Sequence, residues 1–248
     1  MIEFEKDPIQ NQTAEKLRHL GVEAVVFDLD DTLIYTGEIF TRFINEYVEF
    51  VSTASGIKHD ILLKRLQELN DEEYLKMGVS PTRWATVIDR LSQEHNNNEI
   101  ITTNIDILMK IYTTKPRVRP GAKAILKGLK DTGFKIGMVT HAGTDWTERK
   151  LTQTGLLDYF DAIEVVDPNG FKTIDHWQKG MDLLGVESKH CLVVGDNLKG
   201  DIIPSFTLGA KVIWMPSPWS VYREGVVPEG IVQMNELHGF WDAVQKLE

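Results

Sequence analysis

Ala24-Val25-Val26-Phe27-Asp28-Leu29-Asp30-Asp31-Thr32-Leu33 is the stretch on which the reading of this chain turns. Ala24–Phe27 is apolar without a break, so it has no face suited to water. A short run of that kind fits a parallel strand buried on both sides. It stops on Asp28, and a second carboxylate follows at Asp30. By itself Asp-x-Asp also suits a turn or a helix cap, so its meaning depends on what the rest of the chain brings to the same place.

Working outward, residues 13–20 fit a short helix on the N-terminal side. On the C-terminal side the pattern becomes helical from about 36 to 114. Ile39, Phe40, Phe43, Ile44, Tyr47, Val48 and Val51 recur at three- and four-residue spacing, and Ile61, Leu62, Leu66 and Leu69 do the same. Ser80-Pro81 reads as an N-cap with proline at the first helical position, followed by a stripe of Trp84, Val87, Ile88 and Leu91. A fourth helix is expected over about 98–112, with Ile101, Ile105, Leu108 and Ile111 on one face. No strand candidate of comparable strength falls in this stretch.

After Pro116 and Pro120-Gly121 helix and strand alternate. Helices are expected at about 121–132, 145–155 and 173–184. Strands are expected at 134–139, 162–166, 191–194 and 211–215. Residues 216–234, with Pro216, Pro218 and Pro228, read as an irregular surface segment, and 235–247 as a closing helix. Alternation of this kind predicts an α/β fold: a doubly wound parallel sheet, a Rossmann-like core. The expected division is a core of residues 1–35 and 115–248, with a smaller all-helical domain of residues 36–114 inserted.

The hydrophobic share of 42% and charged share of 26% over 248 residues predict a soluble globular protein. A formal net charge of −10 argues against broad binding to nucleic acid or to an anionic membrane, both of which need excess Lys and Arg. The single cysteine, Cys191, sits in an apolar run and reads as a small core residue. Met1–Asp7 has neither a basic leader nor a long apolar stretch, so a cytoplasmic location is expected.

Sites on open α/β sheets lie beyond the carboxyl ends of the strands. The residues found there are Asp28 and Asp30, then Thr140-His141, then Lys172, then Gly195-Asp196 with Asp201 five residues on. Carboxylates, a hydroxyl and an ammonium thus converge on one edge from four segments. Clustered carboxylates repel one another unless a cation sits among them, and oxygen-only ligands favour Mg²⁺. A cation beside Lys172 and Thr140 makes a place for phosphate. One carboxylate can attack phosphorus and form an aspartyl-phosphate. A second can protonate the leaving oxygen and then activate water.

Asp28-Leu29-Asp30-Asp31-Thr32-Leu33, Thr140, Lys172 and Gly195-Asp196-Asn197-Leu198-Lys199-Gly200-Asp201 resemble, in order, the four motifs of the haloacid dehalogenase superfamily. Thr154–Asp161 also looks like the family, and the helical insert resembles its cap. The resemblance implies that Asp28 is nucleophile and Mg²⁺ ligand, and that Asp30 is acid/base and binds metal through its carbonyl. It implies that Thr140 and Lys172 hold the phosphoryl group and that Asp196 is a metal ligand. Asp201 would be a ligand through water or a partner of Lys172, and Thr32 a supporting residue. The family's dehalogenases and phosphonate-cleaving members lack the second aspartate, so Asp30 favours phosphoryl transfer. Two positions depart from the usual pattern: His141 stands where Asn is common, and Lys172-Thr173 where Lys-Pro is common.

The expectation is therefore an Mg²⁺-dependent phosphatase acting on a small phosphorylated metabolite, as a monomer or homodimer. A phosphomutase of the same family and an inactive binding protein of the same fold are the alternatives. Some residues keep second readings. Thr140 or Asp201 could cap the helix that follows, Lys172 could be a surface residue, and His141 could be a satisfied histidine or a phosphate contact. Tyr74, Trp84 and Trp177 read as core or interface residues. Arg42, Lys76, Arg83 and Trp84 are candidates for reading the leaving group.

Overall fold

A computed structural model describes residues 8–218 and 225–248. Met1–Asp7, and 219–224 of the proline-bearing segment, lie outside the described residues. The chain begins with α1 (Pro8–His19), β1 (Ala24–Phe27) and a two-residue strand β2 (Ile34–Tyr35). Helices α2 (Gly37–Ser55), α3 (His59–Met77), α4 (Arg83–Glu94), α5 (Glu99–Thr102) and α6 (Ile105–Met109) follow, and β3 (Arg117–Val118) closes that stretch. The remainder alternates through α7 (Ala122–Asp131), β4 (Lys135–His141), α8 (Thr144–Thr154), β5 (Ala162–Val166), α9 (Ile174–Leu184) and β6 (Cys191–Gly195). It ends with α10 (Ile203–Thr207), β7 (Lys211–Trp214), β8 (Val232–Gln233) and α11 (Phe240–Gln245).

The sheet is parallel with strand order β5-β4-β1-β6-β7-β8. β1 is central, with Phe27 level with Met138 of β4 and Val194 of β6. Its four side chains are all 0% exposed, and they alternate between two faces as strand geometry requires. Val25 and Phe27 join one apolar cluster with Leu126 and Phe240, while Ala24 and Val26 join another with Trp177 and Met181. The sheet is therefore covered on both sides, which is what allows β1 to be apolar throughout.

The helices between β2 and β3 bury a third cluster of their own. Phe43, Tyr47, Leu66, Trp84, Val87 and Leu91 lie at its centre. Both ends of this stretch are joined by a feature the sequence did not reveal, the antiparallel pairing of Ile34 with Val118 and Tyr35 with Arg117. The Tyr35 ring lies 4.5 Å from the Arg117 guanidinium and 4.3 Å from that of Arg119. Two-residue strands are too short to carry a periodicity, so β2, β3 and β8 were beyond pattern reading.

Three helix expectations need correction. The helix expected over 98–112 is broken into α5, α6 and a 3₁₀ turn at Lys110–Tyr112. Asn104 interrupts it, donating from its side chain to the Ile100 carbonyl at 2.9 Å. α4 starts at Arg83 after a turn, with Thr82 rather than Ser80 before its first residue. The closing helix is short, because a 3₁₀ turn takes up Leu237–Gly239.

α9 packs tightly on β4 through a glycine. A Cβ added at Gly180 would lie 2.5 Å from Val139 Cγ2, and overpacking of this sort typically costs about 1–3 kcal/mol. Gly180→Ala is expected to lower the free energy of urea unfolding by that amount, and an unfolding curve equal to wild type would contradict the packing described.

Candidate active site

The sheet register sets the site. Asp28 N–H donates to the Val194 carbonyl at 2.9 Å, so Asp28 stands just past the end of β1, beside Gly195. Thr140 lies two residues beyond Met138 on β4, and Asp196 directly follows β6. Lys172 arrives from the segment between β5 and α9. A cavity of about 940 Å³ opens at this edge, under α2 and α3, and Asp28, Asp30, His141, Lys172 and Asp196 line it.

Lys172 is the centre of charge. Its side chain is 7% exposed, and Nζ donates to Asp28 Oδ1 and, at 2.7 Å, to Asp201 Oδ1. Burial opposes its charge, but Asp201 and Asp28 outweigh burial and hold its pKa above the ordinary lysine value. Asp28 feels the reverse balance: burial comes first, with Asp201 and Asp30 adding to it against Lys172, and its pKa is raised to about 7. Burial, followed by Asp28 and Asp201, raises Asp196 well above the usual carboxylate range.

Asp201 is fully buried and spends both oxygens, Oδ1 on Lys172 and Oδ2 on the Asn197 N–H at 3.0 Å. It lies in a π-type turn, Leu198–Ile202, whose first N–H groups are capped by the Asn197 side chain. Asp201 is thus the anchor of Lys172 and not the cap of α10. Gly195 makes this possible, since a Cβ there would lie 2.6 Å from Asp201 Oδ2.

Asp28, Asp196 and Asp201 each offer a carboxylate oxygen within 4.8 Å of the others. Asp28 Oδ2 is buried with no hydrogen-bond partner. An unpaired buried carboxylate oxygen next to two further carboxylates fits a hard divalent cation, and the all-oxygen donor set suits Mg²⁺.

Asp30 is held by residues that sequence reasoning missed. Lys150 Nζ donates to both of its oxygens, at 2.7 and 2.6 Å, and Thr36 Oγ1 donates to Oδ1 at 2.5 Å. Asp31, at φ 58°, accepts the N–H groups of Thr36 and Gly37. Those bonds close the loop that leads into α2, and burial raises the pKa of Asp31 to about 6. The one signal for Lys150 was its spacing, since it falls on the buried stripe of α8 with Thr147, Leu151 and Thr154.

The other expected residues divide. Thr140 and Thr32 are 0% exposed, each with a buried hydroxyl lacking a hydrogen-bond partner. Gly143, not Thr140, precedes α8. His141 is half-buried, and burial, with the Lys172 charge adding to it, lowers its pKa to about 4. On the helical side Arg83 and Tyr74 line the cavity, as do Phe40 and Asn70, while Arg42, Lys76 and Trp84 do not. Trp84 and Trp177 are core residues at 0% exposure. Arg83 is engaged, bonding to Asn70 Oδ1 at 3.0 Å and to the Gly78 carbonyl, with Tyr74 and Trp84 rings about its guanidinium. No helix among the described residues is long and apolar enough to cross a membrane.

A parallel sheet with carboxylates and a lysine gathered at the carboxyl ends of its strands defines a doubly wound α/β protein with an acidic centre at its sheet edge. The chain belongs to the haloacid dehalogenase-like hydrolases, whose family model matches residues 22–204. Among curated proteins it is 25% identical over 196 residues to glyceraldehyde 3-phosphate phosphatase of Pyrococcus furiosus, covering 78% of this chain and 80% of that one. It is 26% identical over 232 residues to the pyrophosphatase PpaX of Bacillus mycoides, covering 88% and 96%. The fold matches a haloacid dehalogenase-like family hydrolase from Xanthomonas campestris with TM-score 0.71, at 19% identity and 91% coverage of both chains. A phosphatase of the same superfamily from Thermococcus onnurineus matches at TM-score 0.61 and 24% identity, over 91% of this chain and 99% of that one.

Two outcomes follow from this geometry. Gly195→Ala is expected to expel Asp201 from its place, free Lys172 and reduce both stability and activity, as Asp201→Ala would; an alanine variant with wild-type melting would contradict the close approach. The second concerns pH. A carboxyl with a raised folded pKa binds protons more tightly folded than unfolded, so its contribution to stability falls as pH rises from about 4 to about 7. In metal-free buffer wild type is expected to lose stability relative to Asp28→Asn over that range, by up to about 1.4 kcal/mol per pH unit. A wild type that gains stability relative to Asp28→Asn as pH rises would refute the raised value.

Proposed function

We propose that the protein is an Mg²⁺-dependent phosphatase that hydrolyses a small-molecule phosphomonoester through an aspartyl-phosphate on Asp28. The observation that carries this reading is Asp28 itself. One of its oxygens is tied to Lys172, the other is buried and unpaired, and Asp30 faces the same cavity.

The Asp28 carboxylate attacks phosphorus, and the bond to the leaving oxygen breaks as Asp30 supplies that oxygen with a proton. Asp30, now a carboxylate, takes a proton from water, which attacks the aspartyl-phosphate and restores Asp28. Lys172 and the Thr140 hydroxyl hold the phosphoryl oxygens. Asp28, Asp196 and the carbonyl of Asp30 would hold Mg²⁺, which offsets the charge of the phosphate against the carboxylates. His141, kept neutral by burial, can donate one hydrogen bond without adding charge. In this reading residues 36–114 form the cap, which excludes water from the cavity, and 1–35 with 115–248 form the core.

The cavity supports a monoester over a diphosphate or bisphosphate substrate. From the helical side its one lining cation among the described residues is Arg83, already bonded and stacked, while Phe40 and Tyr74 offer rings. The same scarcity of cations argues against a mutase, which must accept a bisphosphate. Lys199 lines the cavity on the core side.

Asp28→Asn is expected to reduce phosphate release to background while the protein melts as a folded domain. Turnover should disappear with EDTA and return with Mg²⁺. A panel of sugar phosphates, nucleotides, other monoesters and pyrophosphate should favour monoesters. Normal turnover by Asp28→Asn, or after full chelation, would overturn the mechanism.

A further inference from the structure

Lys150 has no part in the scheme above, yet its placement is unusual. It is 1% exposed and does not line the cavity, so it does not reach substrate. Its ammonium donates to both oxygens of Asp30, at 2.7 and 2.6 Å, and lies 4.0 Å from the centroid of the Trp146 ring. An aliphatic residue at this position on the buried stripe of α8 would pack without the desolvation cost of an ammonium. Replacing a buried ion pair with apolar residues is often neutral or stabilising, so the pair is a poor choice if stability is its only purpose.

Its partner suggests the purpose. A carboxylate that serves first at the leaving oxygen and then at water must keep one orientation through both half-reactions, because small misplacements of reacting groups are costly. Left to itself, Asp30 could rotate about its side-chain bonds. Two hydrogen bonds from a single ammonium fix the plane of the carboxylate, and the Thr36 hydroxyl at 2.5 Å adds a third contact on Oδ1. Lys150 is itself held, by the packing of α8 and by the face of Trp146.

We infer that Lys150 is a positioning residue for this enzyme, fixing the Asp30 carboxylate for proton transfer without touching substrate. This rests on the acid/base role proposed for Asp30. The role is separate from stability and from binding, and it predicts effects on kcat that pass through Asp30 alone.

The test is a double-mutant cycle on the full chain with Mg²⁺, using Lys150→Met, Asp30→Asn and both together. Two substrates are compared, an alkyl phosphate such as glycerol phosphate and p-nitrophenyl phosphate, whose leaving group departs with little need of a proton. Lys150→Met is expected to lower kcat on the alkyl phosphate by about 10–100-fold, with KM changed less than threefold and a smaller loss on p-nitrophenyl phosphate. In the Asp30→Asn background the same change should cost almost nothing further. Lys150→Arg, which keeps charge and donors, should recover part of kcat. If Lys150→Met does not fold, Lys150→Gln takes its place in the cycle.

The inference fails if Lys150→Met keeps wild-type kcat. It also fails if the losses multiply in the double variant, or if both substrates suffer equally. If Asp30→Asn alone retains full activity, the acid/base assignment of Asp30 falls, and the positioning role falls with it. An impaired Asp30→Asn beside an unimpaired Lys150→Met overturns the positioning role only.

Discussion

Lys172, held between Asp28 and Asp201, is the contact around which the site is organised. A carboxylate at the end of a fully buried strand carries a desolvation penalty that only a charge or a proton can relieve. One ammonium relieves it for two carboxylates, and its length lets it come from a different strand crossover than either. Around it, Gly195 must be small, Asn197 must hold the π-type turn, and β6 must end where it does. Removing one partner of such a buried set leaves an uncompensated charge and typically costs about 3–5 kcal/mol. The residues at the site are therefore bound together by electrostatics before any substrate arrives.

The same economy of charge gives the two aspartates of the first motif different surroundings. Asp28 has a lysine on one oxygen and a buried, unbonded second oxygen. Asp30 has a lysine across both oxygens and a threonine besides. One carboxylate keeps an oxygen free and the other has both oxygens held. Two residues of the same type, two positions apart, thus acquire different hydrogen-bond environments from the lysines supplied by separate segments, the loop before α9 and the middle of α8.

How far the sequence disclosed this depended on the range of the cause. β1 was legible because four apolar residues without polar alternation can only be buried on both faces. The stripe of α4 was legible because Trp84, Val87, Ile88 and Leu91 keep helical spacing. Asp28, Lys172 and Asp196 could be placed at one edge because parallel sheets bring the ends of their strands together. Lys150 could not be read, since a lysine on a helix is ordinarily solvated and only the tertiary fold shows that this one points inward. Asp201 was left between two readings because its partner lies 29 residues away on another segment. The break at Asn104 depended on a side-chain bond to the backbone, a local competition that apolar spacing does not record.

The pairing of β2 with β3 has a consequence for how such proteins diversify. Because the entry and exit of the helical stretch run side by side as neighbouring strands, the chain enters and leaves it through one narrow seam. Helices beyond that seam can be lengthened, pruned or exchanged over generations while the strand ends that carry the carboxylates stay in register. The seam thus leaves the roof of the cavity free to differ in shape without moving the strand ends that carry the carboxylates.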